Sequence, residues 1–105
     1  MSMFDKMKTI ASKLSAIGCE TQVMEEMSEL TKAICKMHRF CGVGQPVDTD
    51  ADTVRQNIFE GIVDVRISLY LYELTLNLDT DDEERMNELY RTKVDRCYER
   101  LGGAE

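Results

Sequence analysis

Two short acidic runs hold the side chains best suited to chemistry. Glu25, Glu26 and Glu29 stand close together in the first half of the chain, and Glu60 and Asp64 form a second group in the second half. On a helix, Gln22, Glu25 and Glu29 share one face, while Glu26 sits at the edge of the apolar arc beside Leu30, Ala33 and Met37. With Glu60 at zero on a wheel of about 100° per residue, Asp64 falls at roughly 40°, Leu71 at roughly 20° and Ile67 at roughly −20°. Arg66, Glu73 and Asn77 fall on the opposite side, so this helix carries two polar stripes and one of them borders an apolar face. Bare carboxylates are costly in such a place, and a cation is the natural remedy. Glu26-x-x-Glu29 and Glu60-x-x-x-Asp64 could converge across a helix–helix interface, where four oxygen donors suit Mg²⁺ or Mn²⁺ better than zinc. The plainer alternative is a solvated helix face in which Glu25, Glu26 and Glu29 pair with Lys32 and Lys36. That alternative does not extend to Glu60 and Asp64, which have no basic residue three or four positions away in their own helix.

A third group has the opposite sign. Lys93, Arg96 and Arg100 fall within about 60° of one another on a helix, beside Leu89 and the apolar stripe. Such residues can reach a phosphate, Arg through its planar fork, or can be stems lying on apolar surface with pairs to Asp95 and Glu99. A fourth group, Cys35-x-x-His38-x-x-Cys41, offers three soft ligands but lacks the paired half-sites of common zinc folds. Cys19, Cys35, Cys41 and Cys97 therefore read as reduced thiols, mostly filling the core.

The elements that must position these groups are helical by period. Phe4, Met7, Ile10, Ala11, Leu14 and Ile17 mark a first helix ending near Gly18. Val23, Met27, Leu30, Ile34 and Met37 mark a second, from about Glu20 to Phe40. The segment 41–52 holds two glycines, the one proline and three aspartates, and reads as a loop. Thr53-x-x-Gln56 reads as a capping box opening a third helix that runs to about Asn77, and Thr80-x-x-Glu83 as a box opening a fourth, which carries Met86, Tyr90, Val94, Cys97 and Leu101 on one face. The expectation is an all-α fold of four helices in a single domain, 1–105.

Composition bounds the partners. The chain has 105 residues and a net charge of −7 from 13 basic and 20 acidic side chains. Nucleic-acid polymers need a basic footprint that this balance does not supply. The chain is too interrupted by charge to span a membrane, and no signal-peptide pattern is visible, so a cytoplasmic location is expected. A domain this small leaves much apolar surface wet, which makes oligomerisation an expectation as well.

The segment from Gln22 to Arg39, with its Glu25-Glu26-x-x-Glu29 core, resembles the first metal-binding helix of the MazG-like, all-α nucleoside triphosphate pyrophosphohydrolases, in the short form found in bacteria and phages. Asn57-Ile-Phe-Glu60-Gly61-Ile62-Val63-Asp64-Val65 resembles the family's second half-motif, and the likeness extends through Lys93-x-x-Arg96 to Leu101. The resemblance implies a four-helix bundle completed by oligomerisation, as a homodimer or homotetramer. It implies a Mg²⁺-dependent hydrolysis of a nucleoside triphosphate to the monophosphate and pyrophosphate, with Mn²⁺ as a substitute. Carried over by position, Glu26, Glu29 and Asp64 are metal ligands with Glu60 as the neighbouring acid, Glu25 or Glu29 orients the attacking water, and Lys93 and Arg96 hold the pyrophosphate. The family's second pair is Glu-x-x-Asp, and this chain has Gly61 where that glutamate stands. The alternative is therefore a non-catalytic relative that binds nucleotide or protein.

Overall fold

The structure is a computed structural model and describes residues 1–103. These residues are all-α: α1 (Met3–Phe40), α2 (Ala51–Thr75) and α3 (Thr80–Arg100), with no strand among them. α1 opens on Ser2, whose hydroxyl accepts from the Asp5 amide while the Asp5 carboxylate accepts from the Ser2 amide. The two ends satisfy each other's unpaired donors.

α1 is bent. Ser15 has φ 67° and ψ 172°, a conformation no helix interior adopts, and the chain divides there into an arm before Ser15 and a stem from 16 to 40. In a straight helix eight residues rise about 12 Å, whereas the Cys19 thiol lies 4.0 Å from the Ala11 carbonyl oxygen. The arm therefore turns back on the stem. Gly18 permits this, since a Cβ there would lie 3.2 Å from the Leu14 Cβ. The expected break near Gly18 thus falls three residues earlier, and Gly18 allows a close approach rather than stopping a helix.

The stem and α2 run antiparallel. Leu30 meets Gly61, and farther along the pair Cys19 packs with Leu71. Ala11 from the arm joins Cys19 and Leu71 in the small buried core, against which Met7, Tyr72 and Leu74 are half-buried. Cys19 is the cysteine that fills the core; Cys35, Cys41 and Cys97 are free thiols on the surface, contrary to the expectation of mostly buried ones.

The caps also differ from the expected boxes. α2 begins at Ala51 rather than Thr53, because the Asp50 carboxylate accepts from the Thr53 amide at 2.8 Å and from its hydroxyl at 3.0 Å. α3 is capped by Asp79 in a reciprocal box with Asp82, not by Thr80. Aspartate outcompetes threonine at both positions because its charge also answers the helix dipole. The Thr53 backbone hydrogen bond, and then its hydroxyl, hold the Asp50 carboxyl below the ordinary aspartate range. A depressed folded-state pKa contributes stability above the unfolded value and loses it as pH falls through the folded one. The melting-temperature gap between wild type and Asp50→Ala should be constant above about pH 5 and shrink on acidification. A gap that widens toward acid pH would refute this cap.

α3 packs against neither α1 nor α2, and none of its residues is buried. The expected four-helix bundle is therefore not formed within one chain.

Candidate functional site

Antiparallel packing brings the two acidic runs to opposite walls of one groove. A cleft of about 340 Å³ is lined by Glu26, Glu29, Lys32, Ala33 and Lys36 from α1 and by Asn57, Glu60, Gly61 and Asp64 from α2. Gly61 lines the cleft beside Leu30, and there the missing side chain lets the two helices approach. A Cβ on residue 61 would stand 2.9 Å from the Leu30 Cδ1 and 3.4 Å from its Cα. Glu26 and Asp64 also line a smaller adjoining recess with Gln22, Ile67, Ser68 and Leu71. These two acids, one from each helix, thus line both cavities.

All four acids expected as ligands line this cleft, but each is at present engaged differently. Glu26 is half-buried and accepts from the Gln22 amide at 3.1 Å. Glu29 is exposed and pairs with Lys32 at 3.2 Å, a surface pair of small energetic value. Glu60 accepts from the Gln56 amide at 3.2 Å. Asp64 is exposed, and no described residue donates a hydrogen bond to it. Every one of these contacts lies within a single helix and involves flexible, mostly exposed side chains, so each can be exchanged for a ligand at low cost.

The donor set suits a hard divalent cation in kind: four carboxylates, no sulfur and no imidazole. As the side chains stand, no three His, Cys, Asp or Glu residues among those described are gathered to hold an ion. That holds equally for Cys35, His38 and Cys41. A cation would draw the carboxylates from their intrahelical partners into the cleft.

Three expected site residues stand elsewhere. Glu25 is exposed on α1 and does not line the cleft. Lys93 and Arg96 lie on α3, which touches neither wall, so the chain alone does not bring them to the acids. The cleft has its own cations instead, Lys32 and the half-buried Lys36. Their signal is in the spacing: Lys32 and Lys36 follow Glu29 at three and seven residues, on the same helix face, a pattern that on sequence alone reads equally as ion pairing. Asn57, one turn before Gly61, was missed for want of a charge.

Fold and site together define the class: an all-α protein with an acid-lined cleft between antiparallel helices. Comparison of the chain with family models, with curated proteins and with solved structures finds no match. Among the described residues, no helix is long and apolar enough to cross a membrane.

Proposed function

We propose that the protein is a Mg²⁺-dependent nucleoside triphosphate pyrophosphohydrolase, acting in the cytoplasm as a homodimer or homotetramer. The observation that carries this reading is the single cleft in which Glu26 and Glu29 of one helix oppose Glu60 and Asp64 of the next, with two lysines on the rim. The likeness of both half-motifs to the MazG-like enzymes supports it. Glu26, Glu29 and Asp64 would hold the ion, with Glu60 as the fourth donor. Held there, a divalent cation would supply neutralisation of phosphate charge and a more acidic water.

The chain's own residues do the rest. Glu29, the one of the two candidate bases that lines the cleft, takes the proton of the attacking water. Water adds to the α-phosphorus, the bond to the oxygen bridging the α and β phosphates breaks, and pyrophosphate leaves. Lys36 and Lys32 take up the negative charge of the leaving group, Lys32 exchanging Glu29 for phosphate.

The direct test is pyrophosphate release from each common and modified triphosphate with Mg²⁺. No turnover by folded protein would overturn the hydrolase reading. One observation favours a second reading, a nucleotide-binding module without catalysis: Gly61 is packed on Leu30 at the position where the family's pattern has a ligand. Calorimetry with Mg²⁺ and a non-hydrolysable triphosphate separates the two, since tight binding without turnover supports the second. For either, an ion that binds the folded state alone stabilises it by about 2.7 kcal/mol at a hundredfold excess over its dissociation constant. Melting curves with and without millimolar Mg²⁺ should separate, and should separate less for Asp64→Asn. Curves that coincide for Mg²⁺, Mn²⁺ and Ca²⁺ would remove the metal from the site.

A further inference from the structure

Little holds the arm against the helix pair. Ala11 is its one buried residue, set with Cys19 and Leu71, and Met7 packs against them half-buried. Met3, Phe4, Ile10 and Leu14 keep between 37% and 80% of their surface in water. Against this small burial stands the backbone of Ser15, whose φ of 67° with ψ of 172° is a region that only glycine enters without cost. The Ser15 hydroxyl answers part of that cost, accepting from the Gly18 amide at 3.5 Å as the N-cap of a stem helix does. The closed arm thus rests on one long cap bond and a few apolar contacts.

Nothing in the local sequence requires the bend. α1 contains no proline, and Leu14-Ser15-Ala16-Ile17-Gly18 can run through as ordinary helix. In a straight helix the Cβ positions of residues 14 and 18 lie about 5–6 Å apart. In the bent one a Cβ on Gly18 would stand 3.2 Å from that of Leu14. One segment therefore has two forms, one strained but packed and the other relaxed but unpacked, and the small area between them puts the exchange among low-cost local openings.

The residues beneath the arm give such a motion its consequence. Cys19 is fully buried, its thiol 4.0 Å from the Ala11 carbonyl oxygen. Leu71 packs with Ala11 and Cys19, and it also lines the recess that holds Gln22, Glu26, Asp64, Ile67 and Ser68. We propose that the arm is a strap hinged at Ser15, which lifts from and closes on the helix pair, and that its closure firms the recess beside the cleft through Leu71. The hinge is independent of what the cleft binds; its link to the cleft rests on the metal-binding reading given above.

Alkylation of the full-length protein with iodoacetamide, mapped to each cysteine by mass spectrometry, reads the strap. Cys35, Cys41 and Cys97 are exposed and should react at once, while Cys19 reacts only as the arm opens. Ser15→Gly removes the strain and favours the closed arm, so Cys19 should react about tenfold more slowly than in wild type. Ser15→Ala removes the cap and keeps the strain, and Gly18→Ala crowds Leu14 in the closed arm alone; each should speed the reaction about five- to tenfold. Lifting the arm exposes little surface, so these rates should barely change in low urea, whereas reaction through global unfolding rises steeply with it. Where millimolar Mg²⁺ raises the melting temperature it should also slow Cys19, because coupling between two sites is reciprocal. Cys19 as reactive as the surface thiols, or reactive only through global unfolding, would overturn the hinge, and so would a Ser15→Gly rate no slower than that of Ser15→Ala. A Mg²⁺ melting shift with an unchanged Cys19 rate would overturn the link through Leu71. No melting shift at all would overturn the metal reading and the link with it, while the hinge stands or falls on the three variants.

Discussion

Under the proposed function, Asp64→Asn should lower pyrophosphate release by more than about a hundredfold and leave the apo melting temperature nearly unchanged. Two features of the site set this expectation. Asp64 lines both the cleft and the recess beside it, and no described residue of the chain holds it by a hydrogen bond. Asn keeps one carbonyl oxygen but loses the charge that competes for a divalent ion. Outer partners of metal ligands are worth about 10–100-fold, so a ligand itself is worth more. Because the side chain is exposed, the substitution should cost within about 0.5 kcal/mol of stability. Glu25→Gln is the matched control: it removes an acid from the same helix, one residue from Glu26, but off the cleft, and turnover should stay within about twofold. Equal losses from both variants would mean that general acidity, not the cleft, carries the activity.

How much of this could be read from the sequence varies with the range of the interaction involved. Helical class and the apolar stripes are set by residues three and four apart, and period reveals them. The Thr-x-x-Gln and Thr-x-x-Glu patterns place the starts of α2 and α3 one to three residues late, because Asp50 and Asp79, whose side chains accept from amides three residues on, cap these helices instead. The acidic runs are legible as a pair because each borders the apolar face of its own helix, and it is those faces that pack together. What periodicity does not contain is rotation about the helix axis relative to a neighbour. Gly61 could be seen to replace an expected acid, but not that its missing side chain seats Leu30. Nor does the wheel of α3 tell that Lys93 and Arg96 lie away from the acids, since a helix's period carries no information about which neighbour it packs on. Lys32 and Lys36 show the opposite error, a correct face given too modest a role.

The position of Gly61 gives the largest expected effect on stability. A Cβ there overlaps the Leu30 Cδ1 at 2.9 Å and crowds the α1 backbone at 3.4 Å. The methyl end of Leu30 can turn aside, but the backbone contact cannot be relieved without moving the helices apart. Overpacking of this kind costs about 1–3 kcal/mol, and replacing glycine in a helix returns up to about 1 kcal/mol of propensity. Gly61→Ala should therefore be near neutral to mildly destabilising. Gly61→Glu has the same overlap and adds a chain that must pass Leu30 to reach the cleft, so its melting temperature should fall by about 5–15 °C, at about 4–8 °C per kcal/mol for a domain near this size. Leu30→Ala opens the space, and the double variant should be more stable than the sum of the two single losses by about 1 kcal/mol or more, the signature of residues in contact. With that space open, a glutamate at 61 adds a fifth carboxylate to the cleft wall, and the Mg²⁺-induced rise in melting temperature should exceed the wild-type rise. If the double variant is simply additive, Gly61 does not seat Leu30. If coupling is found but the metal response is no larger than that of wild type, position 61 serves the helix approach and not the ion.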